Sequence, residues 1–336
     1  MQPPTIRMTW SGPATPAAAA RAVQALAGAT MGTRWSVKLV AEASALASLQ
    51  RGIQACLDEV VAQMSTWEPD SDLSRYNRGE AGSMHALPDG FAAVLDAALK
   101  LAADSHGAYD PTVGPLVNLW GFGPEGARET APDDAAIAQA QAHVGWQRVG
   151  YDPHARTAVQ PGGAYLDFSS IAKGYGVDRV AQWLREQGIE AFLVEVGGEL
   201  YGQGRKPDGS AWQVAVERPS TDEADESTQA VLALDSYAIA TSGDYRRYFD
   251  HGGQRYSHTV DPRSGRPVTH ALAAVTVLHP QCMQADGLAT VLAVLGPQAG
   301  MAYANQRQLA AMFVLHDGDG FLTRMTPAFI ARQRAA

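Results

Sequence analysis

"GGAYLDFSSIAKGYGVDRVAQWLREQGIEAFLVEV" runs from Gly162 to Val196 and contains the point where the chain changes character. From about Ile171 to Gln187 its apolar residues recur at helical spacing, and Gly188 follows as a natural helix stop. The next segment, AFLVEV at 191–196, reads as a strand. Before this stretch the dominant period is helical; after it, the dominant pattern is short strands between turn residues.

Upstream, Leu46, Leu49, Ile53, Leu57, Val60, Val61 and Met64 predict one amphipathic helix. A second is expected from Asp89 to about Ser105, ending near Gly107, and a third after the cap-like Asp133. Ahead of them, the alternation from Val23 to Leu39 is broken at Met31-Gly32-Thr33, which predicts two strands with a break. Downstream, WQVAVE (212–217), AVLALDSYAIA (230–240), RYSHTV (255–260) and LAAVTVL (272–278) read as strands. A helix over about Gln284 to Leu295 precedes AAMFVLH (310–316) and FLTRM (321–325), which the DGDG turn at 317–320 pairs as a hairpin. The expected fold is α+β and two-lobed, with helices mostly in the first half and antiparallel strands mostly in the second. Residues 1–22 are expected to form a flexible arm ahead of one domain over 23–330, and STDEADES (220–227) a solvated loop.

Composition narrows the function classes. The 336 residues are 46% hydrophobic and 18% charged, with a net charge of -9. No basic stripe marks a nucleic-acid surface, and no stretch reaches the roughly 18 consecutive apolar residues of a membrane span. Cys56 and Cys282 fit no zinc or disulfide spacing and read as buried thiols. The first 30 residues show neither a leucine-rich leader nor a lipid-attachment cysteine, so a cytoplasmic location is expected, with an exported or periplasmic one as the alternative.

Several segments carry more glycine and polar residues than packing needs. GAYDPTVGPLVNLWGFGP (107–124) could bring backbone N–H groups and aromatic faces to a flat polyanion, or form a packed Ω-loop. LDFSSIAKGYGVD (166–178) sets Asp167, Ser170 and Lys173 where a strand enters a helix, a place for phosphate; Asp167 or Ser169 could equally be a plain N-cap. Asp286 and Thr290, four residues apart, put a carboxylate and a hydroxyl on one helix face, a hard oxygen pair suited to Mg²⁺. An aspartate near a helix start also stabilises the helix unaided. EVGGELYGQG (195–204) marks a close backbone approach, to a ligand or to a neighbouring strand. In RYSHTVDPRSGRPV (255–268), His258 could take a proton from a hydroxyl near neutral pH or serve structure alone.

Taken in order, MGTRW, MSTWEPDSDLSRYN, AYDPTVGPLVNLWGFG, LDFSSIAKGYGVDRVA, VGGELYGQG, ATSGDYRRYF, RYSHTVDPRSGRPV and ADGLAT resemble the FAD:protein FMN transferases, the ApbE family, from about residue 28 to about 325. The resemblance implies a two-lobed α+β enzyme that binds FAD and Mg²⁺. It would move the FMN half of FAD onto a threonine or serine hydroxyl of an acceptor protein carrying a flavinylation motif, forming a phosphoester and releasing AMP. By matching motif, it implies FAD contacts at Met31, Trp67, Ala108, Tyr109, Asp110, Asp167, Lys173 and Val260. It implies Mg²⁺ ligands at the Ser170 carbonyl, Asp286 and Thr290, and His258 as the base. Ala289 stands where some members have a second aspartate, and Lys173 where some have glutamate, so weaker metal binding and a charge contact to phosphate are expected. The alternatives are a Mg²⁺-dependent FAD pyrophosphatase, with water in place of the acceptor, and a non-catalytic flavin-binding protein.

Overall fold

The computed structural model describes residues 22–217, 228–243, 248–318 and 320–335. The expected arm lies outside the described residues except at Ala22, which opens the first strand. The acidic segment 220–227 lies outside them too, as do residues 244–247 of the ATSGDYRRYF motif.

One eight-stranded sheet organises the chain. Its strands are β1 (Ala22–Thr30), β2 (Thr33–Ala41), β3 (Phe192–Val196), β4 (Glu199–Gln203), β5 (Tyr237–Gly243), β6 (Leu272–His279), β7 (Ala310–Asp317) and β8 (Gly320–Met325). They lie side by side in chain order, and every neighbouring pair is antiparallel. A meander of this kind needs no crossover, so the long segments between strands are free to cover the faces and to build the site. The expected break at Met31-Gly32 is the β1–β2 turn, with both residues at positive φ (48° and 69°).

Period-two burial separates the two faces. Phe192, Val194, Val196, Ala311, Phe313 and Leu315 point into the larger core, while Leu193, Ala310 and Met312 point to the opposite one. The larger core is covered by α1 (Leu46–Met64), α3 (Asp89–Asp104), α6 (Ala172–Glu186) and α7 (Cys282–Gln306). The short helices α2 (Asp72–Asn77), α4 (Gly114–Leu119) and α5 (Asp134–Gln141) fall between these in the chain, and α8 (Pro327–Ala335) follows β8. The opposite face is covered by α8 and by a hairpin of Trp212–Glu217 with Thr228–Leu234. A third, smaller cluster joins Leu116, Trp120 and Ile137 to Val260.

The sequence reading holds for the long elements. The Leu46–Met64 helix, the helix from Asp89, and Asp133 as cap of α5, with its carboxylate accepting from the Ala136 N–H at 2.8 Å, all match. Three differences have physical causes. The 107–124 stretch is not loop throughout, because Pro115 sits in the first turn of α4, where its missing N–H costs nothing. AVLALDSYAIA divides into two strands at Ser236, whose φ is 59°. The helix expected to end at Leu295 continues past a break at Gly296 (φ 74°) and Pro297 to Gln306. Over its 18 most apolar residues this helix has a mean hydropathy of 1.2, and 61% of that window is buried against the rest of the protein, as a core helix would be.

Candidate active site

The site forms where the first turns of α6 and α7 meet. No side chain of its own segment caps α6: its N-cap is Ile171, and Asp167 instead accepts the Ser169 N–H at 2.8 Å, closing a turn before the helix. Neither Asp167 nor Ser169 is therefore the cap of this helix. The cap comes from α7, whose Asp286 accepts the Gly174 N–H at 2.9 Å through Oδ2. In return, Asp178 of α6 accepts the Cys282 and Met283 N–H groups, at 2.8 and 2.9 Å, at the start of α7. Gly174 permits the approach: a Cβ there would lie 2.4 Å from the Cys282 carbonyl oxygen and 2.8 Å from Asp286 Cβ.

Asp286 is buried and Asp178 half-buried, and loss of solvent pushes both up in pKa. Asp178 rises to about 6 despite its two N–H donors. Asp286 also rises, opposed by the nearby Lys173 charge and by the Gly174 N–H. Lys173, in the first turn of α6, does not stand free for phosphate. Its ammonium is bonded to Glu199 Oε1 at 2.6 Å. Burial alone would pull Lys173 down, but the charges of Glu199 and Asp286 carry it above the usual lysine range. Glu199 is 2% exposed, and burial together with the Asp286 charge pushes it up, against the pull of the Lys173 ammonium. Its other oxygen, Oε2, is buried without a hydrogen-bond partner.

Tyr109 joins the glycine-rich loop to this corner. Fully buried, it lies 3.2 Å from the Ser170 hydroxyl through its own, and burial followed by the Asp286, Asp167 and Asp110 charges raises its pKa well above the usual phenol range. Asp110 holds the loop in shape, accepting from the Thr112 N–H and hydroxyl and from the Trp146 N–H. The Asp167 N–H donates to the Pro111 carbonyl, which fastens the 108–112 loop to the start of the 166–178 segment. Thr290, one turn beyond Asp286, has its hydroxyl 3.4 Å from that of Ser242 on β5.

His258 lies between strands 254–257 and 260–261, half-buried, with its ring edge-on to Phe122 at 6.2 Å. Phe122, Phe249, Tyr256 and Trp120 continue this as an aromatic wall, with Phe249 and Tyr256 stacked at 5.1 Å. Val260 is buried in the cluster with Leu116, Trp120 and Ile137. The turn after it is closed by Asp261, which accepts from the Arg263 backbone N–H and grips its guanidinium at 2.8–2.9 Å. Met31 lies against α6, 3.1 Å from where a Gly176 Cβ would stand. Trp67 is 61% exposed, and Ala108 is fully buried. The structure thus gathers Tyr109, Ser170, Lys173 and Asp286 in one corner. It places Asp110 and Asp167 in the loop beside them, Met31 one helical turn away, and Val260 in a separate cluster.

A model of the ApbE family matches residues 31–313. The chain belongs to the ApbE family. It is 42% identical over 306 residues to a Vibrio cholerae FAD:protein FMN transferase, covering 90% of this chain and 91% of that one. It is 40% identical over 314 residues to the Haemophilus influenzae FAD:protein FMN transferase, covering 91% and 90%. The structure of the Pseudomonas stutzeri flavinyl transferase ApbE, apo form, superposes with a TM-score of 0.86 at 43% identity, covering 94% of this chain and 98% of that one. The Vibrio cholerae flavin transferase ApbE gives 0.84 at 40% identity, covering 92% and 99%. This ApbE-family chain is accordingly an enzyme, with the α+β fold of those transferases.

Two functional candidates in this ApbE-family site were not legible from sequence. Asp178 and Glu199 act on partners 104 and 26 residues away in the chain, and neither is near a partner by helical or strand spacing. The only local signal was the company they keep in GYGVD and VGGEL. The VGGE turn resolves the question of its close approach. Gly197 (φ 59°) packs against Thr33 and the Lys173 stem, where a Cβ would meet them at 2.8 and 3.3 Å.

The donor chemistry suits a small hard cation. Asp286 brings one buried carboxylate and Thr290, one turn beyond it, a hydroxyl; the Ser170 carbonyl would be the third donor, and a buried Glu199 oxygen nearby has no hydrogen-bond partner. Among the described residues no group of three His, Cys, Asp or Glu side chains stands ready for a metal. Mg²⁺ is the hard ion least in need of one, because it keeps water and takes phosphate oxygens.

Proposed function

We propose that this chain transfers the FMN half of FAD to a serine or threonine hydroxyl of an acceptor protein, forming a phosphoester and releasing AMP in a Mg²⁺-dependent reaction. The observation that carries the reading is the corner itself: Asp286 buried at the N-terminus of α6, where it accepts the Gly174 N–H, beside Lys173, Tyr109 and Ser170. A helix start favours phosphate even where its lysine is held by a glutamate, and an oxygen donor set next to it favours a hard cation. The names of the relatives point to the same reaction.

Asp286, Thr290 and the Ser170 carbonyl would hold Mg²⁺. Bound there, the ion would supply screening of the pyrophosphate charge that otherwise repels a nucleophile. The chain's own residues do the rest. His258 accepts the proton of the acceptor hydroxyl, whose pKa lies far above neutrality. The hydroxyl oxygen then bonds to the FMN-side phosphorus, and the bond from that phosphorus to the AMP oxygen breaks. Phe122, edge-on to the imidazole, fixes the plane in which that ring works. The loop held by Asp110 and Asp167 keeps Tyr109 at the Ser170 hydroxyl. Positioning supplies the main acceleration, because the flavin undergoes no redox change.

Incubation with FAD, Mg²⁺ and candidate acceptor peptides, followed by mass spectrometry, tests this reading. An FMN-sized addition on a serine or threonine is expected. AMP and free FMN without acceptor modification would make the chain a pyrophosphatase, and intact FAD would make it a binding protein.

A further inference from the structure

The Lys173–Glu199 pair joins a half-buried lysine to a buried glutamate that the proposed chemistry does not itself use. Three features make it more than a surface contact. Glu199 is 2% exposed, and its Oε2 has no partner, so the residue is held in place at the expense of an unsatisfied oxygen. The Lys173 stem is laid across Gly197, two residues before Glu199, at a spacing that a side chain there would crowd. The backbone N–H after Lys173 bonds to Asp286, which sets the root of the lysine at that carboxylate, while Glu199 holds its ammonium. The three charges act on one another, since Asp286 perturbs both Lys173 and Glu199.

We propose that Glu199 is a positioning residue: it holds the Lys173 ammonium as a built-in cation beside Asp286 and so sets how tightly the site takes a divalent cation. A fixed positive charge beside a carboxylate ligand repels an incoming cation, and more strongly the closer it sits. By drawing Nζ to its own side at 2.6 Å, Glu199 keeps the ammonium from closing on Asp286. The site then stays charge-compensated before metal arrives, yet Asp286 remains available to it. The inference rests on the reading of Asp286 as a metal ligand.

The experiment is a Mn²⁺ titration of the purified full chain, without FAD, counting free ion by its electron paramagnetic resonance signal. Mn²⁺ accepts the same oxygen donors as Mg²⁺. Asp286→Ala serves as the reference for occupancy of this site. Lys173→Met removes the fixed cation and should tighten binding by about tenfold. Lys173→Gln, which keeps a donor for Glu199 without the charge, should tighten it in the same direction. Glu199→Ala removes a negative charge and frees the ammonium, and should weaken binding at least about tenfold, while Glu199→Gln loses the charge but keeps an acceptor for Nζ and should weaken it by only about threefold. A merely structural pair would weaken binding in all four variants in proportion to lost stability, followed in parallel by thermal melting. Weaker or unchanged binding in both lysine variants, or equal effects of Glu199→Ala and Glu199→Gln, overturns the proposal. If Asp286→Ala leaves Mn²⁺ binding as it was, the metal-site reading fails first and the proposal with it.

Discussion

Asp178 and Asp286 cap each other's helices: Asp178 of α6 takes two N–H groups at the start of α7, and Asp286 of α7 takes one at the start of α6. A helix start leaves N–H groups unsatisfied, and here each helix supplies the anion that the other needs. The exchange fixes the height of one helix against the other, and with it the placement of Asp286 and Thr290 relative to Ser170 and Lys173. Structure and site are therefore one device at this corner.

Gly174→Ala should break it. The added methyl would lie 2.4 Å from a backbone carbonyl that has no rotamer with which to retreat. Overpacking of this kind costs about 1–3 kcal/mol, and the helices must separate to accept it. A fall in denaturation midpoint together with loss of Mn²⁺ binding is expected. A variant as stable and as metal-competent as the parent would show that the contact is not tight.

The pH dependence of stability should carry a signature of Asp178. Its carboxyl titrates at about 6 in the folded chain, against about 4 when unfolded, so the folded state holds the proton to higher pH. The stability linked to this proton is full below about 4 and is lost as pH rises through about 6. Asp178→Asn has no proton to lose, so its melting temperature relative to the parent should improve between pH 4 and 6 in metal-free buffer. A difference that stays flat over that window contradicts the assignment.

Asp286→Ala removes both a cap and the proposed carboxylate ligand. Transfer by this variant should need far more Mg²⁺, at least about tenfold at half-saturation, with thermal stability lowered by about 1 kcal/mol for the lost cap. An unchanged Mg²⁺ titration would take Asp286 off the ligand set.

Much of this was legible in the sequence where the cause is local. The Met31-Gly32 break marks a turn because the chain there runs at positive φ, and Leu46 to Met64 declare a helix by period alone. The sequential meander was not legible, since alternation shows that a strand has two faces but not which strand lies beside it. At the site, family resemblance named Asp286, Thr290 and Ser170, while Asp178 and Glu199 stayed hidden because their partners come from other elements. The charge of Lys173 alone points toward phosphate; that it is already engaged by Glu199 depends on a turn at Gly197 that brings β4 beneath α6.

The most direct test of the account compares the parent chain with His258→Ala, each given FAD, Mg²⁺ and an acceptor protein. Intact-mass spectrometry would follow acceptor modification while FAD binding is measured separately. The account predicts an FMN-sized addition to a serine or threonine with the parent, and near-complete loss of that addition with FAD binding retained in His258→Ala. Equal transfer by the two proteins would contradict the role of His258, and no acceptor modification by the parent would contradict the proposed function itself.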